Sequence, residues 1–325
     1  MTTSPVARAA TVHDNSPPVD VSVLVPARDE AENLPSFLDQ CGDVFKSRPE
    51  RYEVIVIDDG SHDATQAVLA AAMARHSFVR TVRHRTSRGI ADALRSGYFA
   101  ARSDVLVFYP ADLQFKPEDI PRLVEPVLSG SADIVTGRKE GKYDKAFVSG
   151  VYNWLSRVLF QVPVRDLNNV KAYRREIMDA QPVRPDWHRY MIVIAAAQGY
   201  TVTEVPIPLY PRNAGKSKFG ISRIPIGMLD MLAVWFELRF SRKPLLAFGM
   251  LGVSMFMIAA IGGVLLLATG LGTSPLWAVI TTCLTLGSVF FATGILGEQI
   301  ASLRADQREL RRRLDDSAPV SHRAP

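Results

Sequence analysis

Val21-Ser22-Val23-Leu24-Val25-Pro26-Ala27-Arg28-Asp29-Glu30 and, further on, Glu53-Val54-Ile55-Val56-Ile57-Asp58-Asp59-Gly60-Ser61 have one design. Each is a run of β-branched and aliphatic residues that stops abruptly in carboxylates. An apolar run this short, without polar alternation, reads as a strand buried on both faces. Val21–Val25 and Glu53–Ile57 are therefore strands. Between them, Ala31–Lys46 places Leu34, Phe37, Leu38, Cys41, Val44 and Phe45 close to a helical period. The alternation continues. Asp63–His76 reads as a helix that Asp63 caps, Phe78–Arg83 as a strand and Gly89–Arg102 as a helix. Asp104–Tyr109 is a strand, Pro110–Phe115 a loop, Pro117 to Ser129 a helix and Ala132–Thr136 a fifth strand. This order predicts an α/β architecture, a mainly parallel sheet with helices on both faces. Ligands of such sheets bind at the carboxyl edge, which directs attention to Pro26–Glu30, Asp58–Ser61 and Pro110–Gln114.

The 325 residues suit one large domain plus an appendage, or two modest domains. A hydrophobic content of 47% excludes a disordered chain. Cys41 and Cys283 are the only cysteines, which excludes a disulfide scaffold and a CxxC zinc site. The net charge of +5 says little, but the charge distribution says more. Leu245–Thr269 and Pro275–Gly297 contain no Asp, Glu, Lys, Arg or His, and only Gly270–Ser274 separates them. As helices each is about 35 Å long, enough to cross a hydrocarbon core of about 30 Å. Arg239, Arg242 and Lys243 precede the pair, and Arg304, Arg308, Arg311, Arg312 and Arg313 follow it. The positive-inside rule then puts both ends, and the large N-terminal part, in the cytoplasm. The expectation is a multi-pass protein of the inner (plasma) membrane. Nothing near Met1 reads as a signal peptide.

The expected organisation is a disordered tail (1–19), a cytoplasmic catalytic domain (20–220), an amphipathic interface helix (221–243), two transmembrane helices (244–300) and a basic tail (301–325). Within the domain, Phe147–Phe160 and Trp187–Gln198 read as helices, and Val170–Tyr173 and Val202–Val205 as strands. No internal repeat or heptad array stands out.

Three acidic loops carry the chemistry. Asp29-Glu30, Asp58-Asp59 and Asp112 each follow a strand, so carboxylates converge on one edge. Grouped carboxylates bind a divalent cation or the hydroxyl and imino groups of a nucleotide. Asp112 and the amide oxygen of Gln114 make a reasonable hard-cation pair, two residues apart in extended backbone. The plainer reading of any one such loop is a turn or helix cap. GxxxxGK[ST], GxGxxG and GxSxG patterns are absent, which removes support for ATP hydrolysis, dinucleotide redox and serine hydrolysis. Arg88-Gly89-Ile90-Ala91 opens a helix whose N-terminus suits a phosphate. Arg212, Lys216 and Lys218, interleaved with Asn213, Gly215, Ser217 and Gly220, precede the membrane-proximal helix and suit a lipid phosphate. The competing reading is a simple inside-positive flank.

Val23–Leu34, Val54–Ser61 and Ala111-Asp112-Leu113-Gln114 resemble the signature loops of inverting glycosyltransferases of the Rossmann-like GT-A fold. Thr136-Gly137-Arg138, Lys171–Arg175, Arg212–Gly220 and the paired C-terminal spans closed by Gly294–Glu298 are similar to later motifs of the polyprenyl-phosphate glycosyltransferases among them. The resemblance covers Val21 to Ala301. It implies transfer of one sugar from a UDP- or GDP-linked donor to polyprenyl phosphate at the cytoplasmic leaflet. It also implies donor contacts from Pro26, Arg28, Glu30, Asp58, Asp59 and Asp112, and Mg2+ or Mn2+ on Asp112 and Gln114. Arg138, Arg212, Ser217 and Lys218 would face the lipid phosphate, and Asp112 and Asp166 would stand at the reacting centre, with Asn168 in the same loop. The partners implied are the nucleotide sugar, the lipid and the membrane, with no nucleic acid. A homo-oligomer through the spans is an open reading.

Two positions depart from the pattern. Asp29 stands where relatives usually have Asn. Pro110 stands where the acidic triplet usually begins with Asp, which removes one carboxylate from the metal site. A non-catalytic nucleotide-sugar or lipid-phosphate binder is the alternative this motivates. A processive polysaccharide synthase would add a QxxRW motif, which is absent.

Overall fold

The computed structural model describes residues 18–140, 158–160, 162, 164, 167, 169–179, 187–211, 223–240, 243–270 and 274–317. The predicted helix Phe147–Phe160 lies mostly outside these residues. The chain divides after Met228 into two compact units.

The first unit is built on a seven-stranded sheet. Its strands are β1 (Val21–Ala27), β2 (Tyr52–Asp58), β3 (Val79–Arg83), β4 (Val105–Phe108), β5 (Ile134–Glu140), β6 (Lys171–Arg174) and β7 (Val202–Pro208). The order across the sheet is β3-β2-β1-β4-β6-β5-β7. β1 lies parallel to β2 and β4, β2 to β3, and β5 to β7, while β6 runs antiparallel between β4 and β5. β2 is buried at every position, its apolar run Val54–Ile57 flanked by the buried carboxylates of Glu53 and Asp58. The crossovers from β1 and β4 leave in opposite directions. Between these strands the sheet therefore has its switch point, the crevice where α/β folds hold ligands.

Helices α1 (Leu34–Lys46), α2 (Thr65–Arg75), α3 (Ile90–Ala100) and α4 (Ile120–Leu128) follow the first strands. Two shorter helices, α5 (Arg175–Asp179) and α6 (Met191–Ala197), complete the described part of this unit. α1 buries Leu34, Phe37, Leu38 and Cys41, the face its period predicted. Two strands differ most from expectation at their ends. β5 starts later and runs to Glu140, and β7 runs to Pro208, because the two pair in register over their whole length.

Helix α7 (Arg223–Phe240) stands where an amphipathic interface helix was expected. It buries Met231 and Val234 and exposes Leu229 and Leu232, so its apolar residues are not confined to one buried face.

The second unit contains α8 (Pro244–Thr269) and α9 (Ser274–Ser317), the two described helices long and apolar enough to cross a membrane. Glycines let their backbones touch. A Cβ on Gly252 would lie 2.9 Å from the Gly287 carbonyl oxygen, closer than side chains allow. At the open end of the hairpin the Leu245 N–H donates to Glu298 Oε2 at 3.3 Å, which satisfies an orphan amide of the first helical turn. The second helix does not stop at the expected span end near Gly297. It continues through residues assigned to a tail.

Candidate functional site

The carboxyl edge of β1, β2 and β3 is closed by interlocked loops. Asp29 sits in the left-handed region, with φ 53°, a conformation Asp tolerates better than most residues. Its N–H donates to Ser61 Oγ (3.0 Å), and its Oδ1 accepts the His62 N–H (2.8 Å). Next to it, the Glu30 N–H donates to Thr65 Oγ1 (3.1 Å), and the Ala31 N–H to Asp63 Oδ2 (3.1 Å). Asp63 also accepts the Thr65 N–H at 3.0 Å. The N-cap position is Ala64 rather than the expected Asp63, which instead holds the first amide of α2 from one residue earlier and clamps the β1 loop as well. Glu30 accepts a hydrogen bond from Asn33 Nδ2 at 2.7 Å.

Asp58 and Asp59 are adjacent but do different things. Asp58 is 1% exposed, and its Oδ1 accepts the Ser61 N–H at 2.9 Å. Its Oδ2 is buried and accepts no hydrogen bond among the described residues, with Arg83 Nε at 3.8 Å. A buried carboxylate oxygen in that state suits an incoming hydroxyl or N–H donor. Asp59 is saturated instead. Its carboxylate accepts from His84 Nδ1 (2.7 Å), Ser87 Oγ (2.8 Å), the Arg88 N–H (2.8 Å) and the Gly89 N–H (2.9 Å). Burial pushes its pKa up, but the bonds from Arg88, His84, Ser87 and Gly89 outweigh that and hold it below the usual carboxylate range. The helix-opening amides expected to receive a phosphate are therefore occupied by Asp59. Arg28 joins the cluster through Ser87 Oγ at 3.1 Å. Gly60, with φ +72°, lets the two loops meet, since a Cβ there would lie 2.7 Å from the Ser87 nitrogen.

Across the switch point, residues 112–114 form a turn rather than the extended segment expected. Leu113 has φ 57°, a strained choice for this residue costing about 1–2 kcal/mol. Asp112 Oδ1 accepts the Gln114 N–H at 3.3 Å, which makes this an Asx-type turn. The shared facing argued from strand geometry does not apply here. Tyr109 anchors the loop from below, donating its hydroxyl to the Lys116 carbonyl at 2.7 Å. Burial pushes the Tyr109 phenol well above its ordinary pKa, so it stays protonated as that donor. Among the described residues no three His, Cys, Asp or Glu side chains group to hold a metal. One carboxylate and an amide match the way Mg2+ is commonly held, by one or two carboxylates together with substrate phosphates and water. The donor set thus fits a cation that arrives with a diphosphate.

Arg138 lies on β5, which points its carboxyl end the same way as β4. Its guanidinium already pairs with Glu140 (3.1 Å) and Glu204 (3.6 Å). Pro26 is the penultimate residue of β1, paired with Ile57 of β2. Asp166, Asn168, Arg212, Ser217 and Lys218 lie outside the described residues.

Sequence reasoning missed His84, Ser87, Thr65 and Asn169, and gave Lys171 a place in a motif but no role. Lys171 is 1% exposed, opposite Phe108 at the end of β4, and donates to the Asn169 carbonyl at 2.9 Å. Asn169 in turn donates to the Gly137 carbonyl and accepts the Val170 N–H. The one available signal was His84, the residue following a strand whose last position pairs with Asp58.

Residues 22–180 match the glycosyl transferase family 2. The chain is 28% identical over 297 residues to a dodecaprenyl-phosphate galacturonate synthase of Rhizobium johnstonii, covering 87% of this chain and 88% of that one. It is 28% identical to an undecaprenyl-phosphate 4-deoxy-4-formamido-L-arabinose transferase of Klebsiella pneumoniae, covering 90% and 91%. Glucosyl-3-phosphoglycerate synthase of Mycobacterium tuberculosis, solved with Mn2+, UDP and glucosyl-3-phosphoglycerate, superposes with a TM-score of 0.54 at 19% identity over 68% of this chain and 80% of that one. That likeness identifies the GT-A fold.

Proposed function

We propose, from the premise that residues 22–180 are a glycosyl transferase family 2 domain, that this glycosyltransferase moves one sugar from a nucleoside-diphosphate sugar to a polyprenyl phosphate. The observation that carries the reading is similarity along nine tenths of one chain, spans included, to enzymes named for that transfer.

The donor would enter at the switch point. Asp58 Oδ2 suits a nucleotide hydroxyl or imino group, and a hydrogen bond to a charged acceptor is worth about 1.5–3 kcal/mol. Glu30 and Arg28 stand beside it, and Asp59 acts through the loop it holds. Mg2+ or Mn2+, held by Asp112 and Gln114 with the diphosphate, would supply positive charge where the leaving group becomes anionic. The acceptor phosphate is already an anion at neutral pH, so it needs positioning more than deprotonation. Arg138, Arg212, Ser217 and Lys218 are assigned to hold it, with Asp166 near the reacting carbon. Arg138 would exchange a carboxylate partner for the phosphate. Attack opposite the departing diphosphate inverts the anomeric carbon. Anchoring by α8 and α9 keeps the domain in the plane of its acceptor, which raises effective concentration.

Purified full-length protein with divalent cation, polyprenyl phosphate and a panel of UDP- and GDP-sugars should form a polyprenyl-phosphate sugar of inverted configuration. Arg212→Gln should raise the apparent acceptor constant about tenfold, as loss of one charged phosphate contact predicts, with donor dependence unchanged. Nucleotide binding without transfer from any donor would favour the non-catalytic binder that Pro110 motivates.

We place the catalytic domain at the cytoplasmic leaflet of the inner (plasma) membrane, because the basic residues all flank the hairpin and none lies in its turn. With Cys41 and Cys283 changed to Ser, Ser274→Cys should react with an impermeant thiol reagent outside intact cells and Ser317→Cys should not. The reverse pattern would refute the orientation.

A further inference from the structure

α9 has two apolar faces, and α8 covers only one. Contact with α8 runs through Ile280, Gly287, Phe291, Gly294 and Gly297. With Ile300 as position a of a heptad, these fall at b, e and f. The opposite face carries Leu286, Val289, Leu296, Ile300, Leu303 and Leu310 at a and d, each 42–64% exposed. Within a bilayer such exposure is ordinary. Beyond Glu298 it is not. There Glu298 marks the base of the hairpin through its bond to Leu245, and α9 runs on to Ser317. That extension is about 28 Å long at 1.5 Å per residue. Along it Ile300, Leu303 and Leu310 stay exposed, while nearly every other position is polar or alanine.

We infer that this face of α9 is the seam of a parallel two-stranded coiled coil formed with a second copy of this chain. The inference rests on the membrane-anchored reading above, because a bilayer orients every copy alike and so makes the extensions parallel. Charge selects the same partner. In a parallel pair each g position meets the e position five residues on in the other strand. Here that sets position 306, an aspartate, against position 311, an arginine, twice by symmetry. The other such pairing within the extension, Gln299 with Arg304, contains no like charges. Gln307 occupies an a position, where a polar side chain is best placed opposite its own copy, and that favours an in-register homodimer.

The test is disulfide trapping of the full chain in its own membranes, with Cys41 and Cys283 replaced by Ser. Leu303→Cys and Leu310→Cys, both at d, should cross-link to dimers at least tenfold faster than Ala305→Cys, which is exposed at f on the other side. Equal rates at the three sites, or no dimer at d, would overturn the seam. As a second measurement, Leu303→Asp with Leu310→Asp should halve the protein mass in mild detergent. An unchanged mass would also overturn it. Sugar transfer is assayed in parallel on the same membranes. An inactive chain that cross-links at d counts against the proposed reaction alone, and an active chain without selective cross-linking counts against the seam alone.

Discussion

Asp112→Ala is expected to lower turnover at least tenfold, equivalent to about 1.4 kcal/mol of barrier, with the fold intact. Asp112 supplies the only carboxylate of the 110–114 loop, since Pro110 occupies the other acidic position of the pattern. Its Oδ1 is partly committed to the Gln114 N–H, so the site has little surplus negative charge. Metal should therefore bind weakly to the free protein and much more tightly with nucleoside diphosphate present. Titration calorimetry with Mn2+, with and without UDP or GDP, reads this directly. Full activity of the variant, or of wild type in excess EDTA, would sink the metal assignment. Pro110→Asp should tighten metal binding without nucleotide.

The largest stability effect is expected at Asp59. Asp59→Ala removes the acceptor of four donors at once: the buried His84 ring loses it outright, while the Arg88 and Gly89 amides, on exposed residues, lose it where water can partly replace it. Unsatisfied buried donors cost about 1–3 kcal/mol each. Allowing for relaxation of the loop, a loss of about 3 kcal/mol is expected, or roughly 10 °C in melting temperature for a domain of this size. The pH dependence has a definite sign. The folded carboxyl titrates below its unfolded value, so its contribution is complete above about pH 4. It is lost as pH falls through the lower folded pKa. Wild type should lose melting temperature in that acid window more steeply than Asp59→Ala, and the two should run parallel at neutral pH. A variant that melts with wild type would remove Asp59 from its organising role.

How much of this was legible in sequence follows burial. The centres of β1 (Val23–Val25) and β2 (Val54–Ile57) are unbroken apolar runs because both faces are covered, so strand identity and the acidic loops could be read directly. β6 could not be placed. Four residues long, it carries no signal that it inserts antiparallel between two parallel strands. The division of labour between Asp58 and Asp59 was hidden for another reason. Asp59's partners lie after β3, and only the register of Asp58 with Arg83 brings them together. The Asp112 turn was misjudged because a left-handed leucine is not a choice local sequence favours. α9 was cut short where charges resume, yet Glu298 to Ser317 contains no Gly or Pro and is rich in strong helix formers. Once the helix is known to continue, its a and d positions line up.

The strand order also constrains how the chain is made. Synthesis delivers β3, β2, β1 and β4 as a contiguous parallel half, and domains fold as units from the N-terminus during translation. The neighbour that completes β4 is β6, whose first residue, Lys171, follows Phe108 only after the whole β5 segment. Until it emerges from the ribosome, β4 presents an unpaired edge, the kind of surface on which nascent chains aggregate. The seven described strands all end by Pro208, however, and the first described membrane-length apolar helix starts at Pro244. That edge is therefore sealed before a translocon has anything to insert, and the sheet can be finished while the nascent chain is still free of the bilayer.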